Sequence, residues 1–222
     1  MSLTVAVVTA GLSQPSSTRI LADLLADAVK AQVSARGESV KIEIIELRDL
    51  AQDLATTMVT GGLPTPKVAA AREILATADG LVAVTPVFTA SYSGLFKMFF
   101  DILDPDTLRN VPTIVAATAG TPRHSLVLEH ALRPLFAYLH ALTMPTGVFA
   151  ATDDFGDGAE GSGLAGRVRQ AASELTTQMM QAGNAVAGFV QSDSDLTRRV
   201  SGNSLGATPD FATLLKGHAG TL

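Results

Sequence analysis

Three short runs constrain this chain most: LTVAVVT at 3–9, GLVAVTP at 80–86 and VPTIVAATAG at 111–120. Each is apolar on both alternations and rich in β-branched residues. A strand with one face in water alternates polar and apolar side chains, so runs of this kind belong to strands buried on both faces, with helices above and below a parallel sheet. The intervening segments carry the helical period. Ile20, Leu21, Leu24, Leu25, Ala28 and Val29 make an apolar stripe within 16–35, and helical patterns also run through 66–79, 93–103, 124–142 (with Pro134 inside) and 164–187. VKIEIIEL at 40–47 alternates more and reads as a less central strand; PTGVFAA at 145–151 reads as a fifth. Residues 51–66, with two Gly and two Pro near their end, read as a loop.

Strand and helix thus alternate five times, which predicts an α/β fold. Five strands suit a flavodoxin-like, doubly wound parallel sheet of order 2-1-3-4-5 with helices on both faces. Of 222 residues, 47% are hydrophobic and 17% charged, enough for one sizeable core. We read 1–190 as one domain and the Ser-, Gly- and Asp-rich stretch 191–222 as a tail, either flexible or packing on a partner subunit. A net charge of −5 argues against nucleic acid as a partner, because phosphate backbones call for clustered Lys and Arg. The absence of Cys excludes disulfides and thiolate chemistry. No apolar stretch approaches the ~20 residues of a membrane span, and no basic leader precedes the first strand, so a cytoplasmic protein is expected. No His and carboxylate spacing suits a metal.

In an open parallel sheet, ligands bind beyond the carboxyl ends of the strands. Three neighbouring strands end there in distinctive loops: TAGLSQPSST, TPVFTASYSG and TAGTPRH. The first places Ser13, Ser16, Ser17 and Thr18 where a helix begins. Unpaired N–H groups and the helix dipole favour an anion there, and hydroxyls add donors without adding charge. The plain alternative is an N-cap, which explains one hydroxyl. The loop is neither a P-loop nor a G-x-G-x-x-G dinucleotide fingerprint. The second loop offers Phe88 and Tyr92 as flat faces and Thr89, Ser91 and Ser93 as hydroxyls, or is a turn and cap for the next helix. In the third, Gly120 permits close backbone approach to a ligand, and His124 is either a hydrogen-bonding group or a surface residue.

These stretches resemble a known family. TPVFTASYSGLFKMFFDIL is similar to the segment T-P-x-[YF]-x-x-S-[YF]-x-G-x-[LF]-K-x-[FL]-x-D of the NADPH-dependent FMN reductases, and GLSQPSSTRILADLL to their phosphate loop. ATAGTPRHSLVLEHALRPLFAYLHA is similar to their third flavin loop and the helix after it. The resemblance spans about 3–190, and its branch is the one partnered with luciferase-like monooxygenases. It implies phosphate contacts at Ser16 and Thr18, with Thr9, Gly11, Leu12 and Ser13 beside them. It implies that Pro86, Val87, Phe88, Thr89 and Ser91 line the ring and ribityl chain. Thr118, Ala119, Gly120 and Thr121 would contact the ring's polar edge, with His124 close by. One departure is Ala10-Gly11, where the family usually has Gly-Ser.

The resemblance further implies an oxidoreductase that binds FMN and uses NADPH or NADH. Hydride passes from the nicotinamide to the flavin, no side chain acts as acid, base or nucleophile, and reduced flavin passes to a monooxygenase. Alternatives are an FMN-containing quinone or azo reductase and a flavodoxin-like electron carrier. A 2′-phosphate would need Arg19, Arg123 or Lys97. The apolar circumference of 93–103 reads as a homodimer or dimer-of-dimers interface, or as a helix buried within its own chain.

Overall fold

The computed structural model describes residues 2–155, 163–183 and Asn203. Its strands are β1 (Ser2–Thr9), β2 (Ser39–Glu46), β3 (Gly80–Phe88), β4 (Ser91–Tyr92), β5 (Pro112–Ala119), β6 (Leu142–Thr143) and β7 (Val148–Ala151). Its α-helices are α1 (Ser17–Ser34), α2 (Ala51–Val59), α3 (Pro66–Thr77), α4 (Gly94–Asp101), α5 (Arg133–Tyr138) and α6 (Leu164–Gly183). The parallel body runs β2-β1-β3-β5, and both β6 and β7 pair parallel with β5 at the far edge. The expected five-position order therefore holds, with the fifth position broken into two pieces. Pro145 lies in the break and cannot donate to a ladder. Thr146 bonds instead to Glu174 of α6, through its N–H (2.9 Å) and its hydroxyl (2.7 Å). β4 is an antiparallel hairpin partner on the end of β3.

The period of two sorts side chains between two cores. Val5, Val7, Val82, Val84, Ile114 and Ala116 pack under α1 and α6. Ala6, Val8, Leu81, Ala83, Val115 and Ala117 pack under the helices of the other face. β2, at an edge, buries only Ile45 fully, in line with its more alternating sequence.

Three expectations need correction. The loop expected over 51–66 contains α2, entered through a 3-10 turn at Leu47–Leu50. Leu47, Leu50 and Leu54 form one buried stripe, too short to show a repeat in the sequence. The helix expected over 124–142 is a π-helical turn at Leu128–Leu132 followed by a short α5. Pro134 has no N–H for the carbonyl of His130, and its ring crowds that carbonyl, so regular α geometry gives way there. Finally, the apolar circumference of α4 is covered within the chain. Phe96, Phe99 and Phe100 are at most 2% exposed, and Phe96 and Phe100 stack edge-on against Phe136 of α5 at 6.3 and 5.0 Å. Leu95, Met98 and Ile102 pack on the same core, so α4 supplies no argument for a second subunit.

The expected tail, 191–222, lies outside the described residues except for Asn203, whose amide donates to Ala69 of α3 (2.9 Å). Residues 184–187 of the last expected helix lie outside them too. Among the described residues, no helix is long and apolar enough to cross a membrane.

Candidate functional site

A cleft of about 380 Å³ opens at the carboxyl ends of β1, β3, β5 and β7. Its lining comes from the β1–α1 loop (Leu12, Ser13, Ser16, Ser17 and Thr18), the end of β3 (Pro86, Val87 and Phe88) and the end of β5 (Thr118, Ala119 and Gly120). Thr152, just after β7, completes it. That size lies within the ordinary range of small-molecule sites, about 300–1,000 Å³.

The first loop is built tightly. Ser16 is extended (φ −125°, ψ 123°) and caps α1, its Oγ accepting from Arg19 N at 3.3 Å. Capping accounts for Ser16 alone; Ser13 and Ser17 are exposed toward the cleft. No acidic residue occupies the first turn of α1, so its N–H groups and dipole meet no competing carboxylate. Gly11 is required by contact: a Cβ there would lie 2.1 Å from Ser16 Oγ and 3.2 Å from Thr18 Cβ. The Ala10-Gly11 departure is therefore a packing solution in which the backbone passes directly beneath the two hydroxyl residues. Thr18 Oγ1 shares a buried hydrogen bond with Thr118 Oγ1 (2.8 Å), which ties the first loop to the third. Thr9 is fully buried beneath them, and its hydroxyl has no partner among the described residues.

From the far side, Arg48 donates to Ser13 O (3.2 Å). The Gln14 amide, with its oxygen turned toward the guanidinium, accepts from Arg48 Nη1 at 2.9 Å. Arg19 is turned away: it donates to Asp23 (2.8 Å) and Glu46, and those hydrogen bonds raise its pKa further above the ordinary value.

The second loop is pinned at Thr85, whose Oγ1 donates to Pro86 O (2.9 Å) and accepts from Ser93 N (3.0 Å). Beyond Phe88, the chain turns in two residues. Thr89 (φ 49°) and Ala90 (φ 65°) both occupy the left-handed region, the geometry of a type I′ hairpin in residues that disfavour it. This strained turn holds Phe88, 46% exposed, at one lip of the cleft; Leu12, 54% exposed, forms the other. In the third loop, a Cβ on Gly120 would meet no protein atom.

The expected residues separate into groups. Leu12, Ser13, Ser16, Thr18, Pro86, Val87, Phe88, Thr118, Ala119 and Gly120 line the cleft. Thr9 and Gly11 lie buried below it. Thr89 is exposed at the hairpin tip, and Thr121 heads the 3-10 turn Pro122–His124. Ser91 and His124 line a second hollow of about 350 Å³, so His124 does not face the cleft itself. Two cleft residues were not among the expected site residues. Ser17 was visible as one of the clustered hydroxyls, and Thr152 had only its place after the fifth strand to mark it.

Among the described residues, no ionisable side chain lines the cleft. Neutral donors and a helix N-terminus suit an anion held by geometry, and apolar lips at Leu12 and Phe88 suit a flat ring between them. The orphaned Thr9 hydroxyl and the carboxylate-free donor set fit a phosphate-bearing flavin.

Residues 3–156 match the family described as NADPH-dependent FMN reductase. An FMN reductase (NADPH) of Pseudomonas aeruginosa is 40% identical over 153 residues, 68% of this chain and 78% of that one. The NADH-dependent FMN reductase SfnE of Pseudomonas putida is 39% identical over 171 residues, 77% and 89% of the two chains. Among solved structures, an oxidoreductase from Corynebacterium diphtheriae superposes with a TM-score of 0.78 at 54% identity, covering 81% of this chain and 98% of that one. A WrbA-like flavodoxin from Agrobacterium tumefaciens, at 17% identity and a TM-score of 0.54 over 82% and 99% of the chains, shares the fold. The chain belongs to the NADPH-dependent FMN reductase family, oxidoreductases that reduce FMN with a nicotinamide nucleotide.

Proposed function

We propose that the cleft holds FMN with its phosphate at Ser13, Ser16, Ser17, Thr18 and the first turn of α1, and its ring along Pro86–Phe88 and Thr118–Gly120. The supporting observation is the hydroxyl-lined, carboxylate-free N-terminus of α1, continuous with two ring-wide loop ends. Bound FMN supplies the hydride acceptor. The chain's own contribution is to orient: Leu12 and Phe88 border the ring and leave one face open to the nicotinamide, and the Thr18–Thr118 bond fixes the distance between phosphate and ring subsites. Of the other residues the family resemblance implicates, Thr9 acts in this reading from beneath the phosphate loop, Thr89 and Thr121 from beside the ring, and Ser91 and His124 from the hollow just beyond it.

Reduced flavin then leaves for a flavin-dependent monooxygenase. Residues 1–190 act as one flavin-binding unit, in the cytoplasm where nicotinamide nucleotides are held, and a second copy covers the apolar edge around Tyr138 and Leu142 (71% and 45% exposed). The test is oxidation of NADPH and NADH with and without free FMN. We expect a rate that rises and saturates with FMN. Turnover only with a quinone or azo dye, indifferent to added FMN, overturns the release step. Sedimentation of Tyr138→Glu checks the edge, with a shift to monomer expected.

A further inference from the structure

The hollow beside the cleft is chemically its opposite. Ser91 from the hairpin, Arg123 and His124 from the turn after β5, and His130 from the π-helical turn supply its polar groups. Among the described residues no carboxylate lines it, and the neighbouring Glu129 is held by Arg133 at 2.8 Å. The side chains of Arg123, His124 and His130 are exposed and make no hydrogen bond or ion pair with the described residues.

Three other cations near this edge, Arg19, Lys97 and Arg48, are committed elsewhere, Arg48 to Ser13 O and Glu46. Arg19 is tied to Asp23 and Glu46, and Lys97 to Asp101. Position supports the same conclusion. Phe88 and Gly120 line the cleft; Ala90 and Ser91, and Arg123 and His124, line the hollow two to four residues further along the same two loops. A nicotinamide nucleotide stacked on a ring held in the cleft would have its adenosine end beside this hollow. Exposed Leu126 (62%), with Val127 and Ala131, gives it an aliphatic floor for a second flat ring.

We infer that this hollow receives the adenosine end of the nicotinamide nucleotide, and that Arg123 there pairs with a 2′-phosphate and so selects NADPH over NADH. The inference rests on the reductase reading above. A phosphomonoester offers three acceptor oxygens to a guanidinium whose fork otherwise faces water, whereas the 2′-hydroxyl of NADH offers one neutral oxygen. His124 and His130 add donors at the rim, and the aliphatic floor treats the two nucleotides alike.

The experiment measures KM and kcat for NADPH and NADH at saturating FMN in the wild type, Arg123→Ala and Arg123→Lys. Because Arg123 is exposed, its removal leaves the core untouched. We expect Arg123→Ala to raise KM for NADPH roughly tenfold, the scale of one charge-assisted hydrogen bond, while KM for NADH and both kcat values stay put. Arg123→Lys recovers part of the loss. Calorimetry supplies a readout independent of turnover: adenosine 2′,5′-bisphosphate binds the wild type more tightly than adenosine 5′-phosphate, and Arg123→Ala abolishes the difference. An equal rise in both KM values overturns the 2′-phosphate assignment in favour of the shared pyrophosphate, and unchanged KM values with no calorimetric difference overturn the site. A wild type that oxidises neither nucleotide sinks the reductase reading instead, and the calorimetry still judges the hollow.

Discussion

The cleft and the hollow lie on the same edge of the sheet, share two loops, and yet offer donors to an anion by different means. The cleft uses neutral groups fixed in place: Thr18 and Thr118 are each 2% exposed and bonded to one another, and Ser16 is locked as a cap over Gly11. The hollow uses a charge at the surface, with Arg123 exposed and unpaired among the described residues. Oriented dipoles in a buried frame hold a ligand without inviting a counter-ion to compete. An exposed guanidinium attracts an anion from further away and releases it readily, because water and salt screen it. The first arrangement suits the group that must be positioned for hydride transfer, and the second suits a nucleotide that must arrive and leave in every turnover.

The comparison breaks most sharply if the cleft's frame proves dispensable. Replacing Ser16 and Thr18 together by Ala is expected to raise the FMN Kd about a hundredfold, the scale of two hydrogen bonds to a charged group. Fluorescence quenching of FMN measures it; an unchanged Kd would remove the phosphate from this loop. Next in size is the response to salt. Raising NaCl from low to high concentration should increase KM for NADPH several-fold through screening at Arg123, while the FMN Kd moves far less. Parallel changes in the two would erase the distinction drawn here. The smallest expected effect is at Arg48, which lines neither the cleft nor the hollow and braces Ser13 and Gln14 from behind. Arg48→Ala should weaken FMN a few-fold, as loss of one hydrogen-bonded brace implies. Arg48→Lys should restore part of that, with the KM for NADPH unaffected.

Much of the fold was legible because burial on both faces leaves a simple mark. LTVAVVT, GLVAVTP and VPTIVAATAG each became a central strand of the sheet. Elements whose burial depends on few side chains were harder to read. The stripe Leu47, Leu50, Leu54 spans too few turns to announce α2, and the edge strand broke at Pro145, a residue equally common at the start of an intact strand. The two loop ends at Pro86–Phe88 and Thr118–Gly120 were readable as neighbours once the strand order was in hand. Thr152 was not, since nothing local distinguishes it.

The chain's own residues determined the alternation and the hydroxyl-rich start of α1, because each follows from local patterns, and the five-fold alternation in turn pointed to the strand order. Only the tertiary structure decided what was shared and what was spent. It buried the aromatic circumference of α4 beneath Phe136, closed the space above Gly11 with Ser16, and sent His124 to the hollow rather than the cleft. It also engaged Arg19 and Lys97 with carboxylates and left Arg123 open. The physical reason is that availability is a property of neighbours: a cation or an apolar face acts on a ligand only when no group nearer in space has already satisfied it, and those neighbours are set by the fold.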